Sequence, residues 1–267
     1  MRNEIKLIAT DMDGTFLRSD NSYDVERFKK VLAHMKKNGC KFVVASGNQY
    51  YQLRDFFPGY YDELSFVAEN GAFVKDGTEM IFAADIPKAT IDFVIDVCRK
   101  YEDVEILVNG LRKAYVERSE RQEFFDFMSI YCHQIEWIDD LENIDDQFLK
   151  MTAIVPDEKT EFYYEAFCQK LQGRIIPTTS GHGSIDLIVP GCHKASGLKR
   201  LTERWQISSE QCVAFGDGGN DIEMLQYCGK SYAMENAPQN VKDSAKYICE
   251  SNDNDGVLNT LEKLFMR

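Results

Sequence analysis

Positive charge is scarce in this chain: 31 Lys and Arg stand against 44 Asp and Glu, a formal net charge of −13 over 267 residues. Such a surface repels nucleic-acid backbones and anionic membranes, so neither is expected as a general partner. A small anionic substrate remains compatible, because a local site can oppose the global field. Close cysteine pairs are missing too. The eight cysteines, at 40, 98, 132, 168, 192, 212, 228 and 249, include no CxxC or similarly tight spacing. Most fall in apolar or helical patterns, where a thiol behaves as a small hydrophobe. This predicts a reducing, cytoplasmic setting without a disulfide framework or a zinc site. No apolar run approaches the roughly 18 residues that a membrane span needs. The first residues enter a strand-like segment directly, which predicts no secretory leader. There is no internal repeat and no low-complexity segment. What is there is a chain with 44% hydrophobic residues, enough for a sizeable core in one large domain or two ordinary ones. Nothing in it sets an oligomeric state.

The first third alternates strand and helix patterns. "KLIAT" (6–10) and "CKFVVAS" (40–46) read as buried strands. Between them, "VERFKKVLAHMKKNG" (25–39) places Val25, Phe28, Val31, Leu32 and Met35 on one helical face, with Gly39 as a stop. "YQLRDFF" reads as helix, and "LSFVAENGAFV" as strand, turn, strand. The last third repeats this alternation: helix at 195–207, strand at 211–217, helix at 220–228, strand at 230–234 and helix at 257–265. Continuous apolar strands separated by helices predict an α/β fold, a Rossmann-like parallel sheet covered on both faces. The middle differs. "VEILVNGLRKAYVE" (104–117) predicts a hairpin turning at Asn109-Gly110. "FLKMTAIVP" (148–156) and "GSIDLIVP" (183–190) add strands, and "ATIDFVIDVCRKY" and "EFYYEAFCQKLQ" are the helices of this middle region. The expected division is a core of 1–83 and 189–267 and an inserted α+β domain of 84–188, jointed near Asp85–Pro87 and Pro190.

The chemistry gathers where core strands end. In an open parallel sheet, ligands bind beyond the carboxyl ends of the strands. After the first strand come Asp11, Asp13, Gly14 and Thr15; after the second, Ser46 and Gly47; after the strand ending at Phe215, Asp217, Gly218, Gly219, Asn220 and Asp221. Lys194 opens a helix as the chain returns from the insertion. Several carboxylates in one crevice repel, and a Mg²⁺ ion, a hard cation that takes oxygen ligands, relieves the repulsion and bridges to a phosphate. Ser46, the Gly47 N–H, Asn220 and Lys194 are donors suited to the remaining phosphate oxygens. Asp11 and Asp13, two apart on a strand, point toward the same side, so one can attack a reacting atom while the other handles the proton. Each feature alone reads as a turn or a solvated helix start; their ordered arrival at strand ends does not. His182 and Asp186, taken singly, read as a loop residue and a strand-edge charge.

"DMDGTFL", "VVASGNQ", "HKASGL" and "GDGGNDIEML" resemble the four ordered motifs of the haloacid dehalogenase superfamily of phosphohydrolases. The long insertion between the second and third motifs resembles the Cof-type branch with its α/β cap, and "ASGNQYYQL", "FVAENGA" and "IDLIVPGCHKASG" resemble the bacterial Cof-type sugar phosphatases. The resemblance covers essentially the whole chain. It implies that Asp11 is the nucleophile and that Asp13 is the acid and then the base. It implies Mg²⁺ on Asp11, the Asp13 carbonyl and Asp217, with Asp221 supporting the metal indirectly. Ser46, Gly47, Lys194 and Asn220 would hold the phosphoryl group. Two positions depart from the pattern: Asn48 stands where many relatives have Arg, and Glu235 where the family has Gly.

The expected activity is a Mg²⁺-dependent phosphatase acting on small phosphorylated metabolites, sugar phosphates first. A phosphotransferase or mutase on the same site is the alternative. A non-catalytic phosphoaspartate switch also gathers acids and a lysine at strand ends, but such domains are shorter and lack the insertion. Specificity is assigned to the cap, with "TTSGHGS" (178–184), and within it Ser180 and His182, as the edge that contacts substrate.

Overall fold

The computed structural model describes residues 4–181 and 183–266. In chain order the elements are β1 (Leu7–Thr10), α1 (Val25–Lys37), β2 (Lys41–Ala45), α2 (Tyr50–Asp55), β3 (Ser65–Ala68), β4 (Phe73–Asp76) and β5 (Glu79–Ala83). Then come α3 (Lys88–Cys98), β6 (Glu105–Gly110), β7 (Ala114–Glu117), α4 (Gln122–Ser129), β8 (Ile135–Ile138), β9 (Phe148–Ile154), α5 (Thr160–Lys170), β10 (Ile176–Gly181) and β11 (Ser184–Ile188). The chain closes with α6 (Lys194–Trp205), β12 (Cys212–Gly216), α7 (Ile222–Tyr227), β13 (Lys230–Met234), α8 (Gln239–Ser244), β14 (Tyr247–Cys249) and α9 (Gly256–Phe265).

One sheet has the order β14-β13-β12-β1-β2-β3-β4-β5. Its strands from β14 to β3 run parallel, and β4 and β5 fold back antiparallel. Both faces are covered, as the unbroken apolar strands require. Ile8, Val44, Phe66 and Phe215 point to α1, α2 and α9, where Phe28, Leu53 and Leu258 pack. Leu7, Ala9, Val43, Val67 and Ala214 point the other way, to Leu198, Met224 and Val241 of α6, α7 and α8. Helix α1 starts on Asp24, whose carboxylate accepts the Arg27 N–H at 3.0 Å. It buries Phe28, Val31, Leu32 and Met35 as the spacing predicts, while Val25, in its first turn, is exposed. Each fully buried side chain of this kind contributes about 1.5–3 kcal/mol.

The second sheet, β10-β11-β9-β6-β7-β8, is formed entirely by residues between β5 and α6. Its strands alternate. Ile106, Val108, Met151, Ala153, Ile185 and Leu187 pack under α3 and α5. The positions between them include Asn109, Lys150, Thr152 and Asp186, which are buried and polar and face the first sheet's loops.

Several sequence expectations shift. The hairpin of β6 and β7 forms, but Asn109-Gly110 is not its turn. Asn109 pairs with Ala114 inside the ladder, the Gly110 N–H donates to the Lys113 carbonyl at 2.8 Å, and the chain reverses over 111–113. The Asn109 amide is occupied inside, against Glu69, so it serves a tertiary contact and not a turn. "TTSGHGS" is not wholly a loop: its first residues belong to β10, which pairs with β11. Strands β5, β8 and β14 and helices α4 and α8 are short elements that the sequence reading does not include. Among the described residues, no helix is long and apolar enough to cross a membrane.

Candidate active site

The carboxyl ends of β1, β2 and β12 deliver the expected groups to one cavity. Asp11, Asp13, Ser46, Gly47, Asp217 and Asn220 all line it. Directly after β1 the chain makes a tight turn, with Gly14 at φ +72°. A Cβ there would lie 2.4 Å from Asp217 Oδ2, so both the backbone and the neighbouring acid demand glycine. Thr15 donates to Asp217 Oδ1 at 2.6 Å, tying this turn to the loop after β12. Asn236 donates to the Gly14 carbonyl at 2.8 Å. The adjacent Glu235, the unusual residue of that segment, points to solvent.

Lys194 is the first residue of α6, which begins on a reciprocal His193–Ser196 cap. Its ammonium is 1% exposed and donates to Asp11 Oδ1 at 2.6 Å and Asp221 Oδ1 at 2.7 Å. It is therefore no solvated helix-start lysine. Burial alone would lower its pKa, but Asp11 and Asp221 outweigh burial and hold it above the ordinary value. Asp221 spends its second oxygen on the N–H groups of Asp217 and Gly218, at 3.0 and 2.9 Å. It thus orients the lysine and the loop and has little left to offer an ion directly.

Asp11, Asp217 and Asp221 place carboxylate oxygens within 4.8 Å of one another. Burial raises the Asp11 pKa well above its usual value; Lys194 opposes this, and Asp221, Asp217 and Asp13 add to it. Burial also raises Asp13, against the Asn48 hydrogen bond, and pushes Asp217 up to about 6. Among the described residues, Asp11 Oδ2 and Asp217 Oδ2 take no hydrogen bond. An all-oxygen donor set with mutually raised pKa values fits a hard divalent cation such as Mg²⁺.

Ser46 Oγ accepts the Asn48 N–H at 3.1 Å, and the Asn48 side chain donates to Asp13 Oδ2 at 2.7 Å. Asn48, noted in the sequence only as a departure, therefore holds the proposed acid–base in place. Asn220 donates to Asn70 Oδ1 at 3.2 Å.

The opposite wall belongs to the second sheet and α4. Its polar part is Asn109, Lys150, Thr152 and Asp186; its apolar part is Phe127, Met128, Tyr131 and Ile154. Asp186 corrects the reading from sequence. It lies in β11, between β10 and β9, so it is no edge charge. It is 3% exposed, pairs with Lys150 at 2.9 Å and accepts from Asn70 at 2.6 Å and Thr152 at 2.9 Å. Glu69, Asn70 and Lys150 were also missed. The available signal was a lone charge at an alternating position in an apolar strand, as in "FLKMTAI" and "SIDLI". Of the residues assigned to substrate, Ser180 falls in β10 by its backbone, and His182 lies outside the described residues. The neighbouring Thr179 carbonyl reaches to 4.0 Å from a Cβ placed at Gly219.

A doubly covered parallel sheet with clustered carboxylates and a buried lysine beyond its strand ends defines an α/β phosphoryl-transfer type of enzyme. The chain belongs to the haloacid dehalogenase-like hydrolases, whose family model matches residues 8–261. It is 42% identical over 260 residues to the Escherichia coli (strain K12) 5-amino-6-(5-phospho-D-ribitylamino)uracil phosphatase YbjI, covering 97% of this chain and 96% of that protein. Its fold superimposes on the crystal structure of SMU.1108c from Streptococcus mutans UA159 with a TM-score of 0.94 at 38% identity, over 99% of this chain and 100% of that one. A haloacid dehalogenase-like hydrolase from Bacteroides thetaiotaomicron matches with a TM-score of 0.83 at 27% identity, over 98% and 100%. The protein is accordingly a phosphatase of this superfamily, a phosphoric monoester hydrolase.

Proposed function

We propose that the chain hydrolyses small sugar-type phosphate monoesters with Mg²⁺, through a phosphorylated Asp11. The observation that carries this is the pairing of roles at one cavity: Asp11 held by Lys194 at 2.6 Å, and Asp13 held by Asn48 at 2.7 Å. Mg²⁺ would be held by Asp11, the Asp13 main-chain carbonyl and Asp217, and when bound it neutralises charge between the acids and the phosphate dianion. Ser46, the Gly47 N–H, Lys194 and Asn220 orient the phosphoryl oxygens. A carboxylate oxygen of Asp11 forms a bond to phosphorus as the bond to the leaving oxygen breaks, and Asp13 gives that leaving oxygen its proton. Water then attacks the same phosphorus and gives its proton to Asp13. The bond to Asp11 breaks, and inorganic phosphate leaves with the carboxylate restored.

Residues 84–188 serve as a cap that excludes water and reads the leaving group, with the core formed by 1–83 and 189–267. The wall it presents has polar side chains beside an apolar strip of Phe127, Met128 and Tyr131. That combination suits a hydroxylated chain ending in a flat ring. The name of the Escherichia coli relative describes such a compound, a phosphorylated ribityl chain on an aminouracil. We take that ester as the first candidate, with pentose and hexose phosphates next. The cysteine spacing, with no close pair in the sequence, supports a reducing, cytoplasmic setting.

The test is phosphate release from a panel of these esters, with Mg²⁺ and after chelation. The ribitylaminopyrimidine ester is expected to lead, and chelation to abolish turnover. No release from any monoester by the Mg²⁺-loaded enzyme would overturn the reading. Phosphate transfer to an added acceptor sugar in place of release would establish a phosphotransferase instead.

A further inference from the structure

Lys150 is a buried cation that the reaction above leaves unused. It sits in β9 of the second sheet, 5% exposed, yet its ammonium donates to the carbonyl of Gly47, a residue of the first sheet's phosphate loop, at 2.6 Å. Two carboxylates complete its surroundings: Asp186 at 2.9 Å and Glu69 at 3.3 Å. An ammonium has three N–H donors, and three acceptors stand here for them. Burial works against the charge, but Asp186 and Glu69 outweigh it and keep the lysine ionised.

The Gly47 carbonyl and the Asn48 N–H belong to one planar peptide unit, so fixing one fixes the other. That N–H donates to Ser46 Oγ. A hydroxyl that accepts on one side keeps its own proton free to donate on another, and Ser46 lines the cavity. The side chain of the same Asn48 donates to Asp13. One contact from the second sheet therefore sets a phosphate donor and the orientation of Asp13 together. The packing agrees: a Cβ on Gly47 would lie 3.1 Å from Asn70 Oδ1 and 3.3 Å from Asp186 Oδ2. Asn70, with a left-handed φ of +53°, donates from its backbone to the Ser46 carbonyl and from its side chain to Asp186. The phosphate loop is thus clamped between a turn of its own sheet and two side chains of the other.

We propose that Lys150 is a positioning residue for the phosphate-binding loop, so that seating the second sheet on the first is what completes the loop. The inference rests on the reading above that Ser46 and Gly47 hold the phosphoryl group. Lys150→Met tests it in the full chain with Mg²⁺, read by inorganic phosphate: its inhibition of turnover and its protection against thermal unfolding. Phosphate is expected to bind about 10- to 100-fold more weakly. kcat is expected to fall for every ester, most for alkyl esters that need a proton from Asp13. Unchanged phosphate affinity would overturn the proposal, whether the variant loses only stability or changes only its ranking of esters; the latter would make Lys150 a substrate contact. Should the methionine variant not fold, Lys150→Arg keeps the charge for Asp186 and Glu69 but cannot repeat the three-way geometry at Gly47. Its phosphate affinity is expected to fall with folding stability retained, and tight phosphate binding by it would equally overturn the proposal. A wild-type protein that neither binds phosphate nor hydrolyses any ester would sink the functional reading itself. A wild type that does both, beside a Lys150 variant that binds phosphate as tightly, sinks only this inference.

Discussion

The two walls of the cavity are built by different rules. On the first sheet the polar groups lie beyond the strands, in turns after β1, β2 and β12, where Asp11, Asp13, Ser46 and Asp217 interrupt apolar runs. On the second sheet they lie within strands, at alternate positions of β6, β9 and β11, where Asn109, Lys150 and Asp186 share a face. A turn can place a backbone N–H, a carbonyl and a side chain around one atom, which suits phosphoryl transfer. A strand offers only a row of side chains at fixed spacing, which suits reading the shape of whatever is attached. Lys150 and Asp186 brace the phosphate loop, so if chemistry belongs to the first wall and that brace, and selection to the apolar strip of the second wall, damage to each should have its own signature.

The largest effect is expected from Asp11→Asn. It removes the carboxylate proposed as nucleophile and keeps its shape. Turnover of every ester, with any leaving group, is expected to drop by several orders of magnitude, while circular dichroism and cooperative unfolding persist. Near-wild-type turnover in a Mg²⁺-replete assay would remove chemistry from the first wall.

Lys194→Ala comes next. It removes a positioned cation from Asp11 and is expected to cost about 10²–10³ in rate. It also leaves Asp11 and Asp221 buried without their counter-charge, a loss of about 3–5 kcal/mol of stability. Thermal unfolding and kcat measured on the same preparation check both. A neutral result would mean that the ion pairs at 2.6 and 2.7 Å contribute nothing.

The second wall is expected to answer differently. Phe127→Ala with Tyr131→Ala removes most of the aromatic strip. The preference for a ring-bearing ester over its ring-less polyol counterpart should shrink about tenfold, the scale of one lost stacking contact. kcat for the ring-less ester should hold. Equal losses on both esters would mean that this wall supports the fold and does not select.

This contrast also explains what could be read from the sequence. A charge or glycine that ends an apolar run has no packing duty, so Asp11, Asp13, Gly14, Ser46 and Asp217 stood out, as did the helix start at Lys194. The parallel sheet was legible for the same reason: strands buried on both faces read as unbroken apolar runs. Lys150 and Asp186 were hidden because one polar residue in a strand looks like a solvent-facing position until the facing sheet is known. Asn109-Gly110 carried a turn signal that a tertiary contact with Glu69 overrode. Helix α4 has only eight residues and β8 only four, half-buried, so neither gives a pattern long enough to read, and α4 supplies part of the apolar strip. Asn48 was visible only as a departure, since its bond to Asp13 needs two segments brought together.

The smallest expected effect sharpens the electrostatic half of the comparison. Asp11, Asp13 and Asp217 all have folded pKa values above their ordinary range, Asp217 at about 6. A raised folded pKa means that the folded state binds more protons than the unfolded chain. The stability from these groups is therefore present at low pH and is lost as the pH rises through the folded values. In chelator, the contribution of the first wall should fall between the ordinary carboxylate range and somewhat above pH 6. A bound divalent cation favours the ionised acids and reverses the sign. The gain in Tm on adding Mg²⁺ should consequently grow from about pH 5 to about pH 8. Asp217→Asn should flatten that growth, because it removes both the titrating group and a proposed ion ligand. A Mg²⁺ gain that is independent of pH in the wild type would place the ion away from these three acids.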